Sequence, residues 1–438
     1  MPFADIRIRR PLSQAQIELR DKMLAEVSGD KYRAVSFKLM GTLTVMPFSG
    51  ENDIFTIMEK DIADIPHDAK TSFTDMRCRA AEAALKKYAT PARVTLAKIY
   101  SILAKMNSIS KEDADRLMAR ECELVEKYAV PRECSKLLFR KAKSCKKRVI
   151  VAAETIYPYE TVKNILENCG YGSYDELVMV SDIPDCTSES YYDAVLKKAG
   201  VSADKLLHIG SDVAFDVELP IVKGSKALLM APPDVLMAKS GRVRGYAEEK
   251  DLFNFDDICY LRLRLIFGLY SLYAFDAPQN KNALSDFCCD EYMMGFLILG
   301  SLALAEPQPK LSKMQETLIE AMQKNEKMVA GRDDLLDMFS VYFADIRDIA
   351  GCEGCQLPLD FAEKCCPAND RKFLEPYLSA DTMKKWSRSV KEPEIVPIAR
   401  NRHQQNALSR LADKMFPPNT KVRNIVDGIL AKGHKHSD

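Results

Sequence analysis

The sequence has no net charge, no long hydrophobic run and no apolar segment near its N-terminus. Its 438 residues include 63 Lys or Arg and 63 Asp or Glu, so the overall charge does not favour a nucleic acid or an anionic membrane as a partner. The longest apolar run, residues 293–305, is shorter than the roughly 20 residues that a membrane-spanning helix needs. Residues 1–7 lack the apolar stretch of a signal peptide. We therefore expect a cytoplasmic protein without a membrane span or a nucleic-acid partner.

Thirteen cysteines are scattered along this chain, and no secretion signal accompanies them, so reduced thiols are the simpler expectation. One cluster could supply four thiolates to Zn²⁺, namely Cys352, Cys355, Cys365 and Cys366. Its second pair is adjacent in sequence, which is poor geometry for one tetrahedral ion. Ordinary cysteines of a helical domain are the alternative interpretation.

Hydrophobic spacing in the first half of the chain changes between helical and β periods. Residues 1–30 contain an amphipathic helix over 13–28. Short β-rich runs then predict strands at 34–39, 148–153, 176–180, 206–210 and 226–230. They alternate with helices at 159–169 and 191–199. This alternation predicts an α/β fold with a doubly wound parallel sheet.

The same spacing divides the chain into parts. The α/β core is formed by residues 31–50 and 147–245, and residues 51–146 are a helical insertion between its first two strands. The insertion is predicted to be almost entirely helical, with segments at 54–65, 72–88, 96–106 and 111–128. Residues 246–390 predict an all-helical domain, and residues 391–438 predict a tail with short helices.

Three stretches at the ends of the predicted strands carry a family resemblance. They are SFKLMGTLTVMPFSGENDIF at 36–55, VIVAAETIYP at 149–158, and HIGSD at 208–212 followed by Phe215 and Asp216. Together with the order strand, helical insert and strand–helix repeats, they resemble the haloacid dehalogenase (HAD) superfamily. The likeness is strongest to its predicted hydrolases associated with bacterial surface-polysaccharide glycosyltransferases, and it covers about residues 30–235. It implies a HAD-like sheet with a helical cap.

The resemblance also implies a set of catalytic positions, and this chain departs from the family at each of them. HAD phosphatases use an aspartate nucleophile, a second acid two residues on, a phosphate-binding Ser or Thr, a lysine and a metal-binding aspartate. The matching positions here hold Lys38, Met40, Ala153, Cys186 and Ser211. A lysine ammonium cannot ligate Mg²⁺, and a thioether cannot transfer a proton. We therefore expect no catalytic residues at these positions and no cofactor.

Several polar residues remain at the same edge and predict a ligand or ion-pair pocket. They are Lys38, Thr42, Glu154, Asp212 and Asp216. One hypothesis is that Lys38 pairs with Asp212 or Asp216 as a built-in cation. The alternative is that the pocket has drifted and Lys38 faces solvent. His208 is expected to pack or form hydrogen bonds rather than to catalyse a reaction.

The resulting interpretation is a catalytically inactive HAD-like protein. It would act as a binding, scaffold or regulatory component in bacterial cell-surface polysaccharide biosynthesis, with glycosyltransferases or other polysaccharide-synthesis proteins as partners. The polysaccharide connection comes from the resemblance alone. The alternative is a divergent HAD-type phosphohydrolase that acts on a phosphorylated sugar or similar small molecule, and only that alternative would require Mg²⁺.

Overall fold

The computed structural model describes a defined part of the chain. The described residues are 12, 14–48, 52–68, 70–88, 93–183 and 186–239, with four more at Gly268, Ser271, Leu272 and Asp276. Apart from those four, the predicted helical domain at 246–390 and the tail at 391–438 lie outside the described residues, as do the four cysteines of the Zn²⁺ hypothesis.

The core is a five-stranded parallel sheet, which confirms the predicted α/β class. Its strands are β1 (Ala34–Lys38), β4 (Arg148–Ala153), β5 (Glu176–Met179), β6 (Leu206–Gly210) and β7 (Lys226–Leu229). They lie in the order β5-β4-β1-β6-β7, so β1 is central. β6 is buried along its length and β1 is buried up to its last residue, as expected for inner parallel strands that are covered on both faces.

Two short strands and six helices precede β4. The strands β2 (Thr44–Val45) and β3 (Val130–Pro131) pair in antiparallel fashion at the two ends of the insertion. The helices are α1 (Gln14–Ser28), α2 (Asp53–Ile57), α3 (Phe73–Tyr88), α4 (Leu96–Asn107), α5 (Lys111–Tyr128) and α6 (Glu133–Ser144). Sequence spacing predicted most of these helices but not the β2–β3 pair.

The prediction of one continuous helix over 54–65 is wrong. α2 ends at Ile57, and residues Met58–Ile62 form a tighter 3₁₀ turn. The Glu59 carboxylate of this turn accepts the backbone N–H groups of Phe73 and Thr74 at the start of α3. Since those N–H groups have no partner inside their own helix, Glu59 supplies the cap that α3 needs.

The helices after β4 complete the layers around the sheet. They are α7 (Tyr159–Asn168), α8 (Ser188–Ala199), α9 (Leu219–Val222) and α10 (Pro233–Lys239). A π-helical turn, Ala214–Glu218, precedes α9. None of the described helices has both the length and the hydropathy that a membrane crossing requires.

Strand alternation assigns the first strand's side chains to two different packing layers. Ala34 belongs to an apolar cluster that includes Ile150, Leu206 and residues of α8. Phe37, on the opposite face, lies against the Phe139 ring of α6, with ring centroids 5.8 Å apart. Because side chains alternate along a strand, Ser36 and Lys38 share the α8 face with Ala34.

A buried charged cluster holds the helical insertion together. The Arg77 guanidinium donates two hydrogen bonds to the Glu121 carboxylate, at 2.8 and 2.9 Å, and both side chains are buried. Tyr100 and Tyr157 donate their hydroxyl groups to the same carboxylate, at 2.7 and 3.3 Å. Tyr157 lies between β4 and α7, so this cluster connects the insertion to a loop at the sheet edge.

Replacing Glu121 with alanine should destabilise the protein strongly. The Arg77 charge would stay buried without its carboxylate, which typically costs about 3–5 kcal/mol in the free energy of unfolding. Urea unfolding of the full chain measures this loss. The matched control is Glu123→Ala, whose carboxylate is largely exposed and pairs with Arg120, and which should unfold near the wild-type midpoint. Equal stability of the Glu121 and Glu123 variants would contradict the assignment.

Candidate functional site at the carboxyl edge of the sheet

The candidate site lies where β1, β4 and β6 end side by side. Lys38 is the last residue of β1, Glu154 follows β4, and Ser211 and Asp212 follow β6. The carboxyl edge of a parallel sheet is where ligands bind in open α/β folds. The strand register therefore brings Lys38, Glu154 and the loop after β6 to one edge.

Lys38 is paired with acids at this edge. Its Nζ lies 3.1 Å from Asp216 Oδ2 and 3.8 Å from Glu154 Oε2. The Lys38 side chain is 16% exposed, the Asp216 side chain 8% and the Glu154 side chain 44%. The structure thus places Lys38 against Asp216, with Glu154 at the mouth of the pocket, and not in open solvent.

Asp212, the other acid considered as a partner of Lys38, has a different contact. Its Oδ1 accepts the backbone N–H of Phe215 at 2.8 Å, which closes the turn after β6. This turn leads into the π-helical residues that return Asp216 toward the strand end. The shape of the turn therefore decides which of the two acids meets Lys38.

Asp216 is held as an ionised acceptor. Its Oδ2 accepts the backbone N–H groups of Ser211 and Asp212, both at 2.8 Å. Burial raises its pKa, but the hydrogen bond from His208, the charge of Lys38 and the Asp212 N–H outweigh burial and lower it to about 2. Its close approach also requires Gly210, because a Cβ there would collide with the Asp216 side chain.

His208 forms hydrogen bonds inside the sheet layer. Its Nε2 lies 3.4 Å from Asp216 Oδ1, and its Nδ1 lies 2.7 Å from Ser36 Oγ. Since the ionised Asp216 can only accept, Nε2 donates to Asp216 Oδ1, and Nδ1 shares its hydrogen bond with the Ser36 hydroxyl. A buried chain from Ser36 through His208 and Asp216 to Lys38 therefore fixes the orientation of the Asp216 carboxylate. Ser36 was not predicted, although it shares a face with Lys38.

The other positions that the resemblance marks carry no ionised group. The Met40 sulfur accepts a weak hydrogen bond from Thr44, and Ala153 is fully buried. Cys186 donates to the Thr187 carbonyl, and burial raises the pKa of its thiol. Ser211 donates from Oγ to the Met40 carbonyl at 3.4 Å. These contacts stabilise loops and provide no nucleophile, acid or metal ligand of the family pattern.

The Gly-Thr turn after β1 packs tightly but does not contribute Thr42 to the cavity beside Lys38. Gly41 has φ +81°, and a Cβ there would lie 2.7 Å from Ser211 Oγ, so both backbone conformation and space require glycine. Thr42 is buried, and its Oγ1 has no hydrogen-bond partner within the described part of the chain. Thr42, expected in the pocket, is thus a residue of the turn.

The residues at this edge do not fit the Mg²⁺ ion that the resemblance implies. The Lys38 ammonium contacts the Asp216 oxygen that faces the pocket, and its charge would repel a divalent cation. Across the described ranges, no group of three or more His, Cys, Asp or Glu side chains is arranged to hold a metal ion.

Two spaces adjoin the site, and they differ in size and lining. A cavity of about 20 Å³ lies beside Lys38, Glu154, His208 and Asp216 and is lined also by Tyr191. It has room for about one water molecule. A cleft of about 300 Å³ lies beside Met40 and is lined mostly by apolar side chains, including Val45, Met46, Phe48 and Ile54. Only the second space has the size of a small-molecule site.

Arg132 forms a second buried ionic contact near the site, and sequence reasoning missed it. Its Nη1 donates to the carbonyl oxygens of Gly41 and Met230, both at 2.9 Å, and its Nε donates to Asp276 at 3.0 Å. Asp276 also accepts the backbone N–H of Glu133 at 2.7 Å, at the start of α6. Asp276, from the second half of the chain, therefore binds the arginine that holds the turn after β1.

Comparisons with known proteins give matches among solved structures only. No family model matches the chain, and no curated protein matches it. The L-2-haloacid dehalogenase from Xanthobacter autotrophicus is 15% identical, with a TM-score of 0.33, over 52% of this chain and 90% of that chain. A haloacid dehalogenase-like family hydrolase from Xanthomonas campestris is 14% identical, with a TM-score of 0.32, over 46% and 83%.

A third match is a predicted phosphoglycolate phosphatase from Haemophilus somnus. It is 12% identical, with a TM-score of 0.31, over 45% of this chain and 85% of that chain. At such low identities and TM-scores, these likenesses carry no argument about activity.

Replacing Asp276 with alanine should destabilise the full chain. The Arg132 side chain is 1% exposed, so its charge would remain buried and the Glu133 N–H would lose its acceptor. We expect a loss of roughly 3 kcal/mol in the free energy of unfolding, measured with urea. Asp64→Ala removes an exposed pair with Arg116 and is the control that should change little. An Asp276 variant as stable as wild type would refute the contact.

The stabilising effect of Asp216 should disappear in acid. Because its folded pKa is lowered to about 2 from 3.8, its contribution is complete above about pH 4 and declines as the pH falls toward 2. The stability difference between wild type and Asp216→Asn should shrink by about 2 kcal/mol over that range. Urea titrations at a series of pH values measure it. A difference that stays constant with pH would show that Asp216 has an ordinary pKa.

Proposed function

We propose that this chain is a HAD-like protein without phosphohydrolase activity, and that it acts by binding. The observation that carries the proposal is the Lys38 ammonium, 3.1 Å from Asp216, at the position where the resembled family has its nucleophile. An ammonium in this contact cannot attack phosphorus or ligate Mg²⁺. The neighbouring Met40 cannot act as a general acid or base.

The charges at the edge also argue against a phosphate ligand beside Lys38. Glu154, Asp212 and Asp216 carry three carboxylates, while Lys38 supplies one positive charge. Burial raises the pKa of Glu154, the carboxylates of Asp216 and Asp212 raise it further, and Lys38 lowers it. The three acids outnumber the single ammonium at this edge, and that balance supports a site that disfavours a phosphoryl group.

The volumes of the two spaces favour ligand binding in the cleft beside Met40 and not in the cavity beside Lys38. The cavity beside Lys38, at about 20 Å³, is far too small for a phosphorylated sugar. The apolar cleft beside Met40, at about 300 Å³, is lined by residues from both the sheet edge and the helical insertion. Ile54 and Val125 of the helical insertion line this cleft together with residues of the sheet edge, which supports a binding role there.

We assign that binding role to bacterial cell-surface polysaccharide biosynthesis, with glycosyltransferases or other polysaccharide-synthesis proteins as partners. The support is the likeness of the stretches at 36–55, 149–158 and 208–212 to hydrolase-like proteins of such systems. Deleting the gene in the source bacterium should alter the surface polysaccharide, and the Asp212→Ala chain should restore it. An unchanged polysaccharide in the deletion strain would remove this assignment.

The purified full chain should not hydrolyse a generic aryl phosphate in the presence of Mg²⁺. Lys38→Asp restores a carboxylate at the nucleophile position, but activity should remain absent because Met40, Ala153 and Ser211 still lack the other groups. Product release is followed by absorbance against a protein-free control. The divergent phosphohydrolase would be favoured if wild type turned over the substrate and Asp212→Ala or Asp216→Ala abolished that turnover.

A further inference from the structure

We infer that the Lys38 ammonium occupies the cation position of this edge, so that removing it alone would create a divalent-cation site between Asp216 and Glu154. This inference deepens the proposed function, since it assumes a site that works without metal. Lys38 alone would then determine whether the stability of the acidic edge depends on a divalent cation.

The geometry around Lys38 is that of a bound cation. Its Nζ lies within 4 Å of two carboxylate oxygens from two different loops, Asp216 Oδ2 after β6 and Glu154 Oε2 after β4. Both oxygens contact the same ammonium. His208, in β6, binds the other Asp216 oxygen, with its Nε2 3.4 Å from Oδ1. An ammonium at this point neutralises charges that would otherwise repel each other.

Asp216 is already oriented for this task without Lys38. The Ser211 and Asp212 N–H groups bind Oδ2, the oxygen that Lys38 also contacts, and His208 binds Oδ1. Removing the ammonium should therefore leave the carboxylate in place, facing Glu154. Mg²⁺ commonly binds through one or two carboxylates and keeps several of its waters, so two such groups suffice for a weak site.

The test compares the melting temperature of wild type with that of Lys38→Met in the full chain, each with EDTA and with about 10 mM MgCl₂. Methionine keeps the side-chain length and removes the charge. Lys38→Met should melt several degrees lower in EDTA and regain a large part of that loss with Mg²⁺. Wild type should melt at the same temperature in both conditions. NaCl at matched ionic strength should not restore the variant.

A matched control comes from a second buried lysine. Lys147 donates from Nζ to the carbonyl oxygens of Gly29 and Tyr32, at 2.7 and 2.5 Å, and its ammonium faces carbonyls rather than carboxylates. Lys147→Met should also lower the melting temperature, but Mg²⁺ should not restore it. Adding Asp216→Asn to Lys38→Met should abolish the recovery seen with Mg²⁺.

Two results would overturn the inference. One is a Lys38→Met chain that Mg²⁺ does not stabilise more than it stabilises Lys147→Met. The other is a wild-type chain whose melting temperature rises with Mg²⁺, which remains measurable even if Lys38→Met fails to fold. Phosphatase activity of wild type would refute the proposed function separately, because the thermal comparison does not depend on turnover.

Discussion

The contact between Lys38 and Asp216 is the constraint on which the rest of the site depends. A carboxylate that is almost completely buried needs either a positive partner or a proton. At this edge the partner is an ammonium that comes from the central strand, so the charge is supplied by the chain itself. The Lys38 ammonium of β1 thereby contacts a carboxylate from the loop after β4 and one from the loop after β6.

Several features of the fold make that contact feasible. Gly210 leaves the space in which the Asp216 side chain lies, and the π-helical turn at Ala214–Glu218 returns the carboxylate to the amides of the strand end. His208 and Ser36 extend the hydrogen bonds into the layer between the sheet and α8. On the other side of the turn, Arg132 binds the Gly41 carbonyl and Asp276. These contacts together fix the positions of the turn after β1 and of the Asp216 carboxylate.

The sequence allowed the sheet to be predicted because buried parallel strands are short, nearly continuous apolar runs, as in Val149–Ala153. It also made an ion pair of Lys38 with nearby acids one hypothesis, since strand ends meet at one edge, but it left open the alternative that Lys38 faces solvent. It did not allow a choice between Asp212 and Asp216, which depends on the shape of one turn. The β2–β3 pair has two residues in each strand, too few for a visible period. The contact between Arg132 and Asp276 joins residues 144 positions apart, and no local pattern marks it.

The most direct test is a crystal structure of the full chain grown with Mn²⁺, with anomalous diffraction used to locate the metal. We expect no anomalous peak between Asp216 and Glu154, and continuous electron density for Lys38 with its Nζ within hydrogen-bond distance of Asp216. An anomalous peak at that point, with the Lys38 side chain turned away toward solvent, would contradict the claim that the ammonium takes the place of a metal ion.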